Sequence, residues 1–213
     1  RTPLTSILGF TKITLKQFTK HIAPLVSHES EPASQCRVVE KNLSIVANEG
    51  ERLTRLVNDF LDMARIESGR MPWNDQQVNP AFVIHDILAA SEGDFHQTGV
   101  ELRVNLQDDL PFLSIDPDKL AQVIRNLLHN AAKFTEAGSV TVTATSLPEE
   151  KELEIRVDDT GPGIRQSEIQ SIFDKFHQID SSQDGKGKPR GSGLGLAICK
   201  QIVDHYQGRI WVE

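Results

Sequence analysis

Residues 116–134 read DPDKLAQVIRNLLHNAAKF, and this stretch sets the architecture of the second half of the chain. Asp116 before Pro117 is a helix start, because the aspartate side chain can accept from the first free backbone N–H groups and proline has no N–H to lose there. Leu120, Val123, Leu127 and Ala131, or close neighbours of them, then recur at helical spacing, which predicts a core-facing stripe and a helix reaching about Phe134. Asn126, Asn130 and Lys133 stand at i, i+4 and i+7, so two carboxamides and an ammonium share another face. Asparagine oxygens are hard neutral ligands suited to Mg²⁺, which keeps several waters and takes its remaining oxygens from substrate phosphates. A lysine one turn on can neutralise those phosphates. Taken alone, the pattern is better read as a solvated polar face, and His129 reads as a surface or packing histidine.

Working outward, Asn79-Pro80 caps a helix expected to run through about Ala90, and Val100, Leu102, Val104 and Leu106 alternate as a strand. Val140, Val142 and Ala144 alternate, as do Leu153, Ile155 and Val157, with Pro148 in the turn between them, which predicts an antiparallel hairpin. A last helix from about Leu194 to Tyr206 stops at Gly208, and Arg209 to Val212 begins another strand. The expected arrangement is helices layered on a partly solvated antiparallel sheet.

Two loops in this half carry further chemistry. Asp158-Asp159-Thr160-Gly161-Pro162-Gly163-Ile164 leaves a strand through a tight turn in which backbone can approach a planar ligand, and an aspartate held there can accept from an exocyclic amine such as that of adenine. A simple strand exit has the same composition. Ile169, Ile172, Phe173 and Phe176 suggest a short amphipathic helix, followed from Ile179 to Pro189 by a polar, glycine-bearing loop. That loop ends in Arg190-Gly191-Ser192-Gly193-Leu194-Gly195-Leu196-Ala197, where glycine-rich backbone at a helix N-terminus offers N–H groups to phosphates, with Arg190 and Ser192 as added donors. It is not a Rossmann fingerprint, since position 196 is Leu, and no Gly-Lys-Ser/Thr follows as in a P-loop.

The first 70 residues have a different period. Leu4, Leu8, Thr11, Leu15, Phe18, Ile22 and Leu25 follow alternating spacings of four and three, and so do Val39, Leu43, Val46, Gly50, Leu53, Val57, Phe60 and Ala64. Two long amphipathic helices follow, with Pro24 ending or kinking the first and a polar turn at 28–34 containing Pro32. The second helix ends at Glu67-Ser68-Gly69, and Pro72 follows. A lone helical hairpin cannot bury such stripes. A four-helix bundle made by two copies would, and packing on the second half of the chain is the alternative. The expected division is therefore 1–70 and 71–213.

Composition removes several classes of function. Lys and Arg number 23 against 30 Asp and Glu, so there is no basic footprint for nucleic acid. No run approaches the roughly 18 to 20 apolar residues of a membrane span. Cys36 and Cys199 fit neither a disulfide framework nor a zinc spacing, which suits a reducing, cytoplasmic compartment.

Taken in order, the Asn126 helix, the Asp159 loop, the Phe173–Phe176 segment and the Gly191 loop resemble the N box, first glycine box, F box and second glycine box of sensor histidine kinases, whose ATP-binding domain has the Bergerat fold. The first half resembles that family's dimerisation and phosphotransfer hairpin, because Arg1-Thr-Pro-Leu-Thr-Ser-Ile7 continues its H box and Arg65-Ile-Glu-Ser-Gly69 matches the typical end of its second helix. The implied fold class is α+β, a helical hairpin followed by an α/β sandwich. The resemblance implies Asn130 as the Mg²⁺ ligand, Asn126 and Lys133 as phosphate contacts and Phe134 near the base. It implies Asp159 on the adenine amine, with Gly161, Gly163 and Ile164 as the pocket floor. Lys175, where the family often has arginine, would approach the γ-phosphate, and Arg190 with Gly191, Ser192, Gly193, Leu194, Gly195 and Leu196 would close over the triphosphate. The family's phosphoacceptor histidine would fall three residues before Arg1. None of the seven histidines present has the context to replace it, and Thr2, one turn on, would orient water for dephosphorylation of a response regulator. The implied cofactors are ATP and Mg²⁺, and the implied partners are a second copy through residues 1–70 and a response-regulator receiver domain. A degenerate kinase acting as scaffold or phosphatase, or another Bergerat ATPase, are the rival readings.

Overall fold

In the computed structural model, residues 2–25, 31–149, 151–178 and 192–213 are described. The chain forms two compact units, Arg1–Ala64 and Arg65–Glu213.

In the first unit, α1 (Thr2–Gln17) passes into a wider π turn at Phe18–Ile22 and a tight 3₁₀ turn at Ala23–Leu25. Pro24 explains the change: its ring clashes with the carbonyl four residues back and it donates no hydrogen bond, so the helix loosens ahead of it and stops. α2 (Glu31–Glu67) is the long second helix, and Pro32 sits at its start rather than in a turn. The helices run antiparallel: Lys12 pairs with Glu51 at 2.5 Å, Thr19 Oγ1 donates to Glu40 at 3.3 Å, and Leu8 lies against Gly50. On α1 the expected seam holds from Leu4 to Phe18, all half-buried, while Ile22 and Leu25 are exposed because the helix geometry has changed there. On α2 the expected seam divides. Leu43, Gly50 and Val57 face α1, but the residues completing that face are Ala47, Thr54 and Leu61, one step beyond Val46, Leu53 and Phe60. Val39, Val46, Leu53 and Phe60 are 42 to 59% exposed and form a second stripe at seven-residue spacing.

The second unit adds β1 (Gln76–Val78), α3 (Pro80–Thr98), β2 (Glu101–Leu106), β3 (Leu113–Ile115), α4 (Pro117–Phe134), β4 (Ser139–Leu147), β5 (Glu152–Asp159) and α5 (Gly195–His205). β4 is central, parallel to β2 and antiparallel to β5, so the sheet is mixed rather than antiparallel as expected. The parallel pair is possible because α4 lies between β2 and β4 in the chain and returns it across the sheet. Val140, Val142 and Ala144 of β4 are fully buried and join Ile84 and Ile87 of α3 and Ile124 and Leu128 of α4 in one core. α3 is capped by Asn79 as expected but runs eight residues past Ala90, ending at Gly99 in the left-handed conformation. Continued apolar spacing through Phe95 carries it on. The Ile169–Phe176 segment forms successive turns, not a helix, and Arg209–Val212 pairs in no ladder among the described residues. Its side chains still reach β5, where Arg209 pairs with Glu152 at 2.7 Å. A two-stranded sheet of β1 and β3 was not foreseen, since three residues give too short a pattern to read.

Candidate functional site

α4 positions the first group of expected site residues. Asp116 is its N-cap, with the carboxylate accepting from Asp118 N at 2.9 Å and Lys119 N at 3.4 Å. Its buried face is Leu120, Ile124, Leu128 and Ala131, rotated by one residue from Val123 and Leu127 but within the neighbours allowed for. Asn126 and Asn130 lie beside that face, half-buried.

The Asn126 carboxamide is engaged by protein: Nδ2 donates to Gly195 O at 3.2 Å and approaches Cys199 Sγ at 3.6 Å. This ties the middle of α4 to the first turn of α5. One turn further on, the half-buried Asn130 carboxamide has no hydrogen-bond partner among the described residues. Beyond it Lys133 Nζ stands 4.7 Å from the Phe134 ring centroid, and that ring is 41% exposed.

The Asp159 loop abuts the C-terminal end of α4. Asp159 is exposed at the end of β5, held by its pairing with Val140, and its Oδ1 accepts from Gly161 N at 2.8 Å. A Cβ added at Gly161 would lie 2.6 Å from that carboxylate and 3.1 Å from Phe134 O, so glycine lets the loop close on the helix. Gly163 and Ile164 follow on the exposed side. Next to Phe134, the Thr135 hydroxyl is buried without a partner among the described residues, a polar atom that the sequence reading did not single out.

The second glycine loop meets the F-box segment through backbone. Phe176 N donates to Gly193 O at 2.9 Å, and a Cβ on Gly193 would lie 2.7 Å from the Phe176 carbonyl carbon. With φ +69, Gly193 is required both for conformation and for this approach. Ser192 Oγ accepts from Leu194 N at 3.1 Å, and Leu194 is buried. Gly195 opens α5, whose N-cap Leu194 supplies no side-chain cap. The first N–H groups of an eleven-residue helix thus start beside Asn126, the backbone arrangement that attracts phosphate. Leu196 is half-buried in the first turn.

Lys175 is exposed and its Nζ pairs with Glu67. His177 Nε2 lies 2.8 Å from Glu168 Oε2 and 3.3 Å from Ser171 Oγ, which braces the turn carrying Lys175 and Phe176. Arg190 and Gly191 lie outside the described residues, as does the side chain of Thr2, although Thr2 opens α1. The structure thus brings α4, the Asp159 loop and the Gly193 loop together through Asn126–Gly195, Phe134–Gly161 and Phe176–Gly193. Among the described residues no group of three or more His, Cys, Asp or Glu could hold a metal ion, and neither cysteine is in a disulfide.

Two family profiles cover most of the chain. Residues 1–69 match the His Kinase A (phospho-acceptor) domain, and residues 115–213 match the histidine kinase-, DNA gyrase B- and HSP90-like ATPase family. The chain belongs to the sensor histidine kinases. Among histidine kinases, it is 32% identical along its full length to hybrid signal transduction histidine kinase D of Dictyostelium discoideum, of which it covers 13%. It is 34% identical over 83% of its length to sensor histidine kinase WalK of Bacillus subtilis, covering 28% of that protein. The crystal structure of full-length ShkA in complex with AMPPNP resembles the whole chain at a TM-score of 0.72 and 27% identity, with 40% of ShkA covered. The chain therefore spans well under half the length of these kinases. The hairpin followed by a mixed sheet domain is the catalytic-core architecture of the family. No helix among the described residues is long and apolar enough to cross a membrane.

Proposed function

We propose that this kinase core binds ATP with Mg²⁺ between the polar face of α4 and the glycine loop opening α5, and transfers the γ-phosphoryl group to a histidine preceding Arg1 in the parent protein. The observation that carries the reading is the junction of Asn126 with Gly195, a helix start without a side-chain cap, and the open carboxamide of Asn130 follows one turn along α4. ATP-binding histidine kinases are the chain's relatives, and ShkA is a neighbour seen with AMPPNP.

The residues present fit the metal. Mg²⁺ takes few protein ligands and leaves its other positions to water and phosphate oxygens, so one neutral carboxamide suffices and an acidic cage is not needed. When bound, the ion neutralises charge on the phosphates. Asn130 would hold it, Lys133 would add a positive charge, and the Gly193–Gly195 backbone would donate to the phosphate oxygens. Asp159 would accept from the adenine amine, and Phe134 would line the base. Lys175 would have to leave Glu67 to reach a phosphate. Phosphoryl transfer depends chiefly on positioning and charge neutralisation, which this set of residues supplies.

Residues 1–70 would pair with a second copy. The exposed stripe Val39, Val46, Leu53 and Phe60 supports this, since it repeats every seven residues as a bundle seam does. A receiver domain would dock on the resulting bundle; ThkA, solved in complex with the response regulator protein TrrA, shares the fold. The phosphoryl group would pass to that domain's aspartate, and Thr2 would orient water for the reverse dephosphorylation.

The test is labelling by γ-³²P-ATP in the parent protein. Acid-labile, base-stable label is expected at the histidine before Arg1, and Asn130→Ala should abolish it. Undiminished label in Asn130→Ala would remove that residue from the site.

A further inference from the structure

At the far end of α4 and α5 a second junction ties the two helices together, and residues 73–75 are built into it. The Tyr206 hydroxyl, just after α5, donates to Asp75 Oδ1 at 2.7 Å and accepts from Asp116 N at 3.0 Å. Asp116, 5% exposed, uses Oδ1 to cap α4 and Oδ2 to accept from Asn74 N at 3.0 Å. Trp73 stacks on His205 with ring centroids 3.6 Å apart and planes within 4°, and Tyr206 meets both rings edge-on. None of these residues belongs to the four nucleotide boxes.

The placement of this hub gives it a consequence for the site. Along α4, Asp116 precedes Asn126 by ten residues, and along α5, Tyr206 follows Gly195 by eleven. At 1.5 Å per residue both spans are about 15 Å, so the antiparallel pair is pinned at both ends by junctions of matching separation. One pin is Asn126–Gly195 at the nucleotide site. The other is Tyr206–Asp116, and the hydroxyl that forms it is oriented by Asp75 on the connecting segment. A change in the second pin alters how α5 lies along α4, and with it the distance from Asn130 to the helix start that would receive the phosphates.

We propose that Tyr206 and Asp75 are positioning residues for the nucleotide site, linking the segment after the hairpin to the α4–α5 spacing. This rests on the nucleotide-binding reading above. Removing the link by Tyr206→Phe keeps the ring and its stacking while breaking both hydrogen bonds of the hydroxyl. Calorimetric titration of the 213-residue chain with ADP and Mg²⁺, well below its melting transition, should show affinity weakened about 2- to 10-fold, the range of one lost hydrogen bond. Asp75→Ala removes the acceptor that orients the hydroxyl but leaves the bond from Asp116 N, so it should weaken binding by no more than Tyr206→Phe does, and Asp75→Asn, whose carbonyl oxygen still accepts from the hydroxyl, should bind within twofold of the parent. The double variant Asp75→Ala/Tyr206→Phe should be no weaker than Tyr206→Phe alone, which already removes the bond to Asp75. Unchanged affinity in Tyr206→Phe, or additive losses in the double variant, would overturn the proposal. Failure of the nucleotide reading looks different: the parent chain would bind no ADP, or Asn130→Ala would bind as the parent does.

Discussion

In the unit Arg1–Ala64 the buried apolar residues among those described are Ala47 and Met63, whereas the unit Arg65–Glu213 buries whole side chains in layers, with Ile84, Ile124, Val140, Val142, Ile198 and Ile202 at 0 to 1% exposure. The hairpin is the more regular of the two in sequence, yet it is the less self-sufficient. Its heptads supply two stripes, and a pair of helices can cover only one. The mixed sheet domain has helices to place over its inner face and closes its core within one chain. Regular patterning therefore marks where apolar surface is available, and the number of elements within reach decides whether one chain can bury it.

The largest contrast should come from charging the open stripe. Leu53→Glu with Phe60→Glu puts two carboxylates on residues that are 49% and 59% exposed in one chain. If a second copy covers that stripe, sedimentation should shift from dimer to monomer and the helical signal of residues 1–64 should collapse. ADP binding by the second unit should persist. A dimer that survives both charges would mean that the stripe is not the interface.

The converse substitution is Ile198→Ala in α5. The side chain is fully buried, so truncation removes its transfer free energy and leaves a cavity, together about 2–5 kcal/mol. That loss should appear in the thermal transition of the second unit only, while sedimentation stays dimeric. A simultaneous loss of dimer would show that the two units fold as one.

How much could be read in advance follows the same division. α4 matched its expected ends because both termini carry local chemistry: Asp116 and Pro117 start it, and the apolar spacing stops at Phe134. The strands Glu101–Leu106, Ser139–Leu147 and Glu152–Asp159 were legible because each alternates for several residues. Their directions were not, since the parallel pairing of β2 with β4 depends on a crossover that no local pattern encodes. The split of the α2 seam was hidden for a related reason. A heptad names residues that want cover, and only the structure shows that Ala47, Thr54 and Leu61 complete the inner face while Val46, Leu53 and Phe60 stay open. Of the site, the glycines, Asn130 and Asp159 were legible as residue types at motif spacing. The use of the Asn126 amide on Gly195, the Lys175–Glu67 pair and the Tyr206 hub were not, because each joins residues at least 69 positions apart.

The smallest effect separates the polar contacts of the two units. Lys12–Glu51 on the hairpin is half-exposed on both sides, so its Coulomb gain is screened and opposed by side-chain entropy. Lys12→Ala should cost under about 1 kcal/mol, and even that should vanish in 1 M salt, where the Debye length is about 3 Å. The Tyr206 hydroxyl responds to pH instead. Burial, and then its bond to the Asp75 carboxylate, push its pKa up to about 12 from the usual value of 10. The folded state thus holds this proton more tightly than the unfolded state does. The associated stability is fully present below pH 10 and is lost as pH rises from there through 12. Thermal melts of the second unit should fall over that alkaline window, and Tyr206→Phe should flatten the Tyr206 contribution while Lys12→Ala leaves it intact. An identical alkaline slope in Tyr206→Phe would mean that the hydroxyl is not held as the Asp75 and Asp116 contacts require.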